Sequence, residues 1–367
     1  MRRTPALIVG AGPAGAATAI LLARAGTPPL VIERNREPHD TVCGGFLGGD
    51  AIALLKRFGL EPAILGAPAI SRARLVAGGR LVEADLPFAA AGLSRQALDA
   101  ALLARAAKEG AMVERGIAVR RVDLDRRRLH LGDETAIETE ALFLANGKYE
   151  VRGATRTVLA KKDPALGLRV RLEPSAYLAH ALRGVIELHL FRQGYAGLLL
   201  QEDSGVNLCL SVAQSRLREA GGQPAQLIAA LAREAPVLAD RFSAARSAGE
   251  WSTVARVPYG WRLRNGQYGL FRLGDQAAVI ASLAGDGIAI ALHSAIRASH
   301  CFLRGGAEAA LAYQSGFASR ARRPIAVAGM LRHCGETPWI AGPILSLFRH
   351  TPGLLRKAAA VTRIGAD

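Results

Sequence analysis

Apolar residues in this chain follow two rhythms: short unbroken runs that suit buried parallel strands, and spacings of three and four that suit helices. The first run is Ala6-Leu7-Ile8-Val9. It leads through glycines at 10, 12 and 15 into an alanine-rich helix that runs through Ala23-Arg24-Ala25 and stops at Gly26. Leu30-Val31-Ile32 then reads as a second buried strand, closed by Glu33. After a polar connection, Arg34 to Asp40, four glycines crowd the stretch Cys43-Gly44-Gly45-Phe46-Leu47-Gly48-Gly49, and Asp50 is expected to cap a helix from Ala51 to Phe58.

Alternation around Gly78-Gly79 predicts a hairpin, 72–76 with 80–84. Ser94 is the expected cap of a helix to Lys108, Met112 to Arg115 starts another strand, and Ala141 to Ala145 is a further buried run. Between Lys161 and Arg262 the pattern is mixed, with strands at Val185 to Phe191, Ala196 to Leu200 and Val206 to Val212, and helices at Pro224 to Arg233 and Pro236 to Ala245. A long helix is expected from Gly287 to about Leu303; Asp286 and His293 break its apolar stretch, which argues against a membrane span. The last forty residues set Trp339, Ile344, Leu345, Phe348, Leu354 and Leu355 among Arg349, His350, Arg356, Lys357 and Arg363. Such amphipathic helices suit either an anionic membrane surface or packing over a neighbouring domain.

Composition narrows the classes. The 367 residues, 50% hydrophobic and 21% charged, can bury a substantial core. A net charge of +16 admits anionic partners. With aromatics at 5% and scattered arginines, there is no stripe for nucleic acid. Cys43, Cys209, Cys301 and Cys334 are far apart without a C-x-x-C pair, so neither a metal site nor a disulfide framework is expected. Met1 to Pro5 leads directly into the first strand without an apolar leader, which reads as cytoplasmic, or as peripheral on the inner face of the membrane if the tail binds there.

The chemistry starts at Gly10-Ala11-Gly12-Pro13-Ala14-Gly15. In this spacing the first glycine makes the tight turn, the second lets backbone approach a phosphate, and the third lets helix pack on sheet. The helix N-terminus offers free N–H groups and partial positive charge to a pyrophosphate. Glu33, 23 residues after Gly10, is placed to accept from a ribose hydroxyl, with Arg34 beside it. A second glycine-acid element, Leu273-Gly274-Asp275, precedes the helix start Gly285-Asp286-Gly287-Ile288.

Together with Cys43-Gly44-Gly45 and Ser94-Arg95, these motifs resemble the p-hydroxybenzoate-hydroxylase-like FAD-dependent oxidoreductase superfamily, and within it the geranylgeranyl-reductase-like branch; the resemblance covers residues 1 to about 325. It implies an α/β fold (α+β overall). A Rossmann-like FAD-binding domain would be drawn from 1–70, 91–160 and 263–325, an interleaved mixed-sheet substrate domain from 71–90 and 161–262, and a helical tail from 326–367. It further implies that Arg95 contacts FAD phosphate or ribityl, that Asp275 contacts ribityl hydroxyls, and that Gly287 and Ile288 offer N–H groups to the flavin pyrimidine edge. Cys43, Gly44, Gly45 and Gly147 would lie along the flavin. Cys43, Tyr195 and His189 are candidates for chemistry, each with a packing role as the alternative.

Two departures weaken a hydroxylase reading. Asn146-Gly147-Lys148 stands where relatives carry an Asp-Gly element, and Ala278, Ala281 and Ser282 stand where they carry His and a Pro pair. No second dinucleotide turn is present, so NAD(P)H would bind transiently or a partner would supply electrons. The expectation is an FAD-dependent oxidoreductase acting on a hydrophobic isoprenoid-, lipid- or polyketide-like molecule, leaning to C=C reduction. The rivals are a monooxygenase that hydroxylates through a flavin C4a-hydroperoxide, and a non-catalytic lipid or protein binder on the same fold.

Overall fold

The computed structural model describes residues 2–351 together with Gly353, Ala360 and Arg363. The apolar runs build a parallel sheet. Its strands lie in the order Met112–Arg115, Leu30–Glu33, Arg2–Val9, Ala136–Leu144, and Leu270–Arg272 adds to the far side of Ala136–Leu144. The runs at 6–9, 30–32, 141–144 and 270–272 are buried on both faces, which explains the absence of alternation there, whereas the edge strand Met112–Arg115 is partly exposed. The other half of Ala136–Leu144 carries an antiparallel ladder, Arg128–Leu131 and then Val119–Asp123.

Helices Pro13–Arg24, Arg95–Lys108 and Gly287–Gly305 pack together on this sheet. Ser94 caps the second as expected, its Oγ accepting from Ala97 N at 3.0 Å. Asp50 does not cap its helix. That helix spans Gly49–Arg57 with Gly48 at the cap, and Asp50 lies in the first turn, where its charge complements the helix dipole.

A second sheet of nine strands runs in the order Ala245–Ser247, Ala165–Pro174, Val206–Ala213, Gly194–Leu200, Val185–Phe191, Ala69–Ala77, Arg80–Gly92, Phe46–Leu47, with Ser252–Val257 also paired to Ala165–Pro174. The hairpin turns at Gly78-Gly79, and its strands extend beyond the expected limits. One face buries Leu168, Val170, Leu198 and Leu208 under helices Pro224–Leu231 and Pro236–Ser243. The opposite face walls the cavity described below.

The helix Ala309–Gly335 has no counterpart among the expected elements, and it continues past residue 326, where the sequence pattern opens the tail. Proline at 324 does not break it, because Tyr313, Phe317, Ala321, Ile325 and Ala328 bury one stripe against the core. Pro338–His350 follows, with Ala341 and Leu345 buried against Leu75, Val82, Leu190 and Tyr195. Of the two readings of the tail, packing over the substrate-side sheet holds for this helix. Burial of Leu345 alone stabilises that seat by about 1.5–3 kcal/mol. The basic and apolar positions at 354–357 lie outside the described residues.

Candidate functional site

Gly10 and Gly15 meet the steric needs that the spacing implies. Gly10 has φ +96°, and a Cβ there would run into the carbonyl of Ala145 at 2.6 Å. A Cβ at Gly15 would collide with the carbonyl oxygen of Gly10. Gly12 is different: its φ of −68° suits any residue, and a Cβ would meet only Arg95 Nη2, at 3.1 Å, and Asp99 Oδ2, at 3.9 Å. It faces the space where a phosphate would approach. Arg95 is fixed there by a bidentate pair to Asp99, at 2.8 and 2.6 Å, and although burial opposes its charge, Asp99 holds its pKa above the usual arginine value. Glu33 accepts from Ala11 N at 2.8 Å and from Asn35, so its carboxylate sits at the tip of the turn. Arg34 stacks on the Tyr149 ring at 3.8 Å.

From Gly12 a cavity of about 370 Å³ runs between the two sheets to the tail helix. Pro13, Ala14, Arg95, Gly147, Gly274 and Asp275 line its near end. Cys43, Gly44, Gly45, Gly285, Gly287 and Ile288 line its middle, and Tyr195 lies further in. Gly44, Gly147 and Gly287 each have open space where a Cβ would stand. The N-terminus of the long helix Gly287–Gly305 opens into this space, with the partial positive charge of its free N–H groups. Leu75, Leu188, Leu190, Leu283, Leu345 and Phe348 make the far end apolar.

Not every expected site residue is on the wall. Asp286 is fully buried behind it and pairs with Arg363. His189 is also away from the cavity. On Val185–Phe191, Ile186, Leu188 and Leu190 face the cavity, whereas Glu187 and His189 alternate to the other face. There His189 Nε2 lies 2.8 Å from Glu187 Oε1.

Several residues at the site gave little sequence signal. Lys148 appeared only as a departure from the relatives, yet its Nζ reaches Asp275 Oδ2 at 3.0 Å on the cavity wall. Burial opposes its charge, but the Asp275 carboxylate outweighs that and holds the ammonium pKa above the ordinary lysine value. Asn207 donates to the carbonyls of Cys43 (3.0 Å) and Gly44 (2.9 Å); Arg169 orients it at 2.8 Å and also binds Asp40 at 2.7 Å. Tyr195, Ser282 and Tyr259 meet in a hydrogen-bonded trio. Beside Cys43, burial pushes the Cys209 thiol up to about 12, so it stays protonated. Among the described residues no cluster suits a metal ion.

Residues 3–139 match the family model described as FAD binding domain, and the glycine turn, Glu33 and Arg95 all lie within the matched stretch. In overall fold the chain is similar to a set of flavoprotein structures: the flavin-dependent brominase Bmp2 (TM-score 0.80, 16% identity, 98% of this chain and 93% of that one), and PqsL from Pseudomonas aeruginosa, described as a probable FAD-dependent monooxygenase (TM-score 0.69, 18% identity, 93% and 99%). A single-residue variant of the halogenase PltM in complex with FAD is another (TM-score 0.75, 15% identity, 97% and 85%).

In sequence it is similar to a menaquinone reductase of Mycobacterium tuberculosis, 32% identical over 174 residues, or 45% of this chain and 43% of that one. A menaquinone reductase of Mycolicibacterium smegmatis matches at 28% over 178 residues, 46% and 44%. The chain thus matches less than half the length of these curated relatives.

Proposed function

We propose that the protein is an FAD-dependent oxidoreductase that reduces a C=C bond in a hydrophobic isoprenoid-, lipid- or polyketide-like molecule. The observation that carries this reading is the continuous cavity joining a phosphate-ready turn at Gly12 to an apolar chamber at Leu188 and Phe348. The cavity fits FAD because its glycines leave backbone open where a cofactor must approach, and because charge is arranged along it. The Gly12 turn and Arg95 would hold the pyrophosphate, Glu33 the ribose, and Asp275 with Lys148 the ribityl chain. The N–H groups of Gly287 and Ile288 would face the flavin's pyrimidine edge, where a helix N-terminus stabilises negative charge. The bound flavin supplies two-electron transfer. The chain's own part is to orient the substrate, exclude water through Leu75, Leu190, Leu345 and Phe348, and hold charge at Lys148 and Asp275. Reduction is supported by the two relatives described as menaquinone reductases. The electron donor would be NAD(P)H, bound transiently, or a partner protein.

Monooxygenation is the second reading, favoured by the fold shared with PqsL. Product formed equally well without oxygen, and carrying no label from ¹⁸O₂, supports reduction; oxygen-dependent, labelled product supports the second reading. Purified protein that is colourless and fails to take up FAD would sink both and leave a binder. The outward face of Pro338–His350, with Trp339 and Leu347 exposed near Arg349, supports peripheral contact with an anionic membrane surface. Flotation with anionic liposomes that survives Trp339→Glu/Leu347→Glu would rule out that face.

A further inference from the structure

Among the leucines and phenylalanine at the far end of the cavity stands a group of hydroxyls. Tyr195 on Gly194–Leu200, Tyr259 in the turn after Ser252–Val257, and Ser282 ahead of Gly285 converge there from three separate segments. Ser282 Oγ shares one hydrogen bond with the Tyr195 hydroxyl and another, of 2.6 Å, with the Tyr259 hydroxyl. Three hydroxyls bring three protons, and two links use only two. One O–H is therefore left over, whichever way the links run. When they run from Tyr259 through Ser282, the spare proton is on Tyr195. That side chain is 4% exposed and clustered with Leu75, Val82, Leu190 and Leu345. A buried donor left without an acceptor costs free energy, so an oxygen arriving in the chamber is attracted to it.

We propose that Tyr195, Ser282 and Tyr259 form a hydrogen-bond donor site for one oxygen of the substrate, so that the protein selects apolar molecules carrying a carbonyl or hydroxyl at one end. This rests on the apolar-substrate reading above. The apolar remainder of the molecule lies against Leu188, Leu190 and Phe348, and the trio fixes which end enters first. The donor persists when the chain is shortened from its outer end, because Tyr195 and Ser282 alone still hold two protons and one link. It is lost from the chamber only when the inner hydroxyls go.

The test uses FAD-loaded, oxidised protein without reductant, and two probes of nearly equal shape: 2,3-dimethyl-1,4-naphthoquinone and 2,3-dimethylnaphthalene, measured by equilibrium dialysis. The ratio of quinone to hydrocarbon affinity is expected to fall about tenfold from wild type to Tyr195→Phe/Ser282→Ala, with hydrocarbon affinity kept. A ratio unchanged in the double variant, or both affinities falling in parallel, overturns the donor site and leaves the apolar chamber standing. Failure of wild type to bind either probe overturns the apolar-substrate reading, and the donor site with it.

Discussion

Lys148 Nζ lies 3.0 Å from Asp275 Oδ2, and the two residues are held from behind by one buried guanidinium. Arg156 donates to the backbone oxygens of both, at 2.9 Å each, and to Glu150 Oε1 at 2.6 Å. The charged pair on the cavity wall is thus locked between two segments distant in sequence. Lys148→Met is expected to weaken FAD binding about tenfold, the scale of one charge-assisted hydrogen bond. Arg156→Ala acts indirectly: it should loosen FAD binding in the same direction and also lower stability by about 1–3 kcal/mol through the acceptors it leaves unpaired. Flavin fluorescence titration of the apoprotein reads the first effect and urea unfolding the second. Unchanged FAD affinity in both variants would remove the pair from the cofactor site.

Asn207 ties the Cys43-Gly44 backbone to the second sheet through two donated bonds, and Arg169 fixes its amide orientation. Asn207→Leu leaves both carbonyls without their donor, at about 1–3 kcal/mol. The melting temperature should fall by about 2–4 °C per kcal/mol, and flavin should be lost more readily on gel filtration. Asn207→Asp keeps the shape but cannot donate, so it should fail to rescue. An Asp variant that melts and retains flavin like wild type would show that these bonds do not hold the loop.

These two predictions also mark where the sequence was legible. Residues 6–33 could be read because strand, turn, helix and terminal acid are contiguous, and the positive φ of Gly10 and the contact of Gly15 with the Gly10 carbonyl are local. The Ser94 cap, the hairpin at Gly78-Gly79 and the helix start at Gly287 are local in the same sense. Lys148 with Asp275, Asn207 with Cys43, and Tyr259 with Ser282 are pairings between distant segments, and no periodicity encodes them. The tail helix shows a subtler limit. Its amphipathic pattern states that Ala341, Leu345 and Phe348 need covering, and the same pattern serves a membrane or a sheet face. Only the position of Leu75, Leu190 and Tyr195 decides.

A buried ionic cluster on the other face of that sheet makes a pH prediction. Glu187 accepts from Arg74 at 2.7 Å and Arg241 at 3.0 Å and lies 2.8 Å from His189, with no exposure of its own. Burial opposes its ionisation, but His189, Arg241 and Arg74 outweigh that and bring the carboxyl from 4.5 to about 2. Because the folded-state pKa is depressed, the stabilisation is fully present above the unfolded value of 4.5 and is lost as pH falls towards 2. Glu187→Gln should cost about 3 kcal/mol at neutral pH by leaving the arginines uncompensated. Its stability should then decline less than that of wild type between about pH 4.5 and pH 3. Parallel declines in urea unfolding at the two pH values would show that Glu187 does not carry the dependence.

Gly12 and Gly15 separate folding from cofactor binding within one motif. At Gly15 a side chain must collide with the Gly10 carbonyl, a rigid backbone atom in the turn itself. Gly15→Val should therefore misfold or melt well below wild type, whether FAD is present or not. At Gly12 the backbone is in an ordinary extended conformation, and the nearest atom to a new Cβ is the end of the Arg95 side chain. Gly12→Val should fold with wild-type circular dichroism, because nothing in the packed core meets it. Its isopropyl group would fill the space beside Arg95 and the helix N-terminus, where the pyrophosphate needs bare backbone. The expected product is a folded, monodisperse and colourless protein that does not gain thermal stability when FAD is added. A full flavin complement in Gly12→Val would show that the phosphates approach the turn from another side.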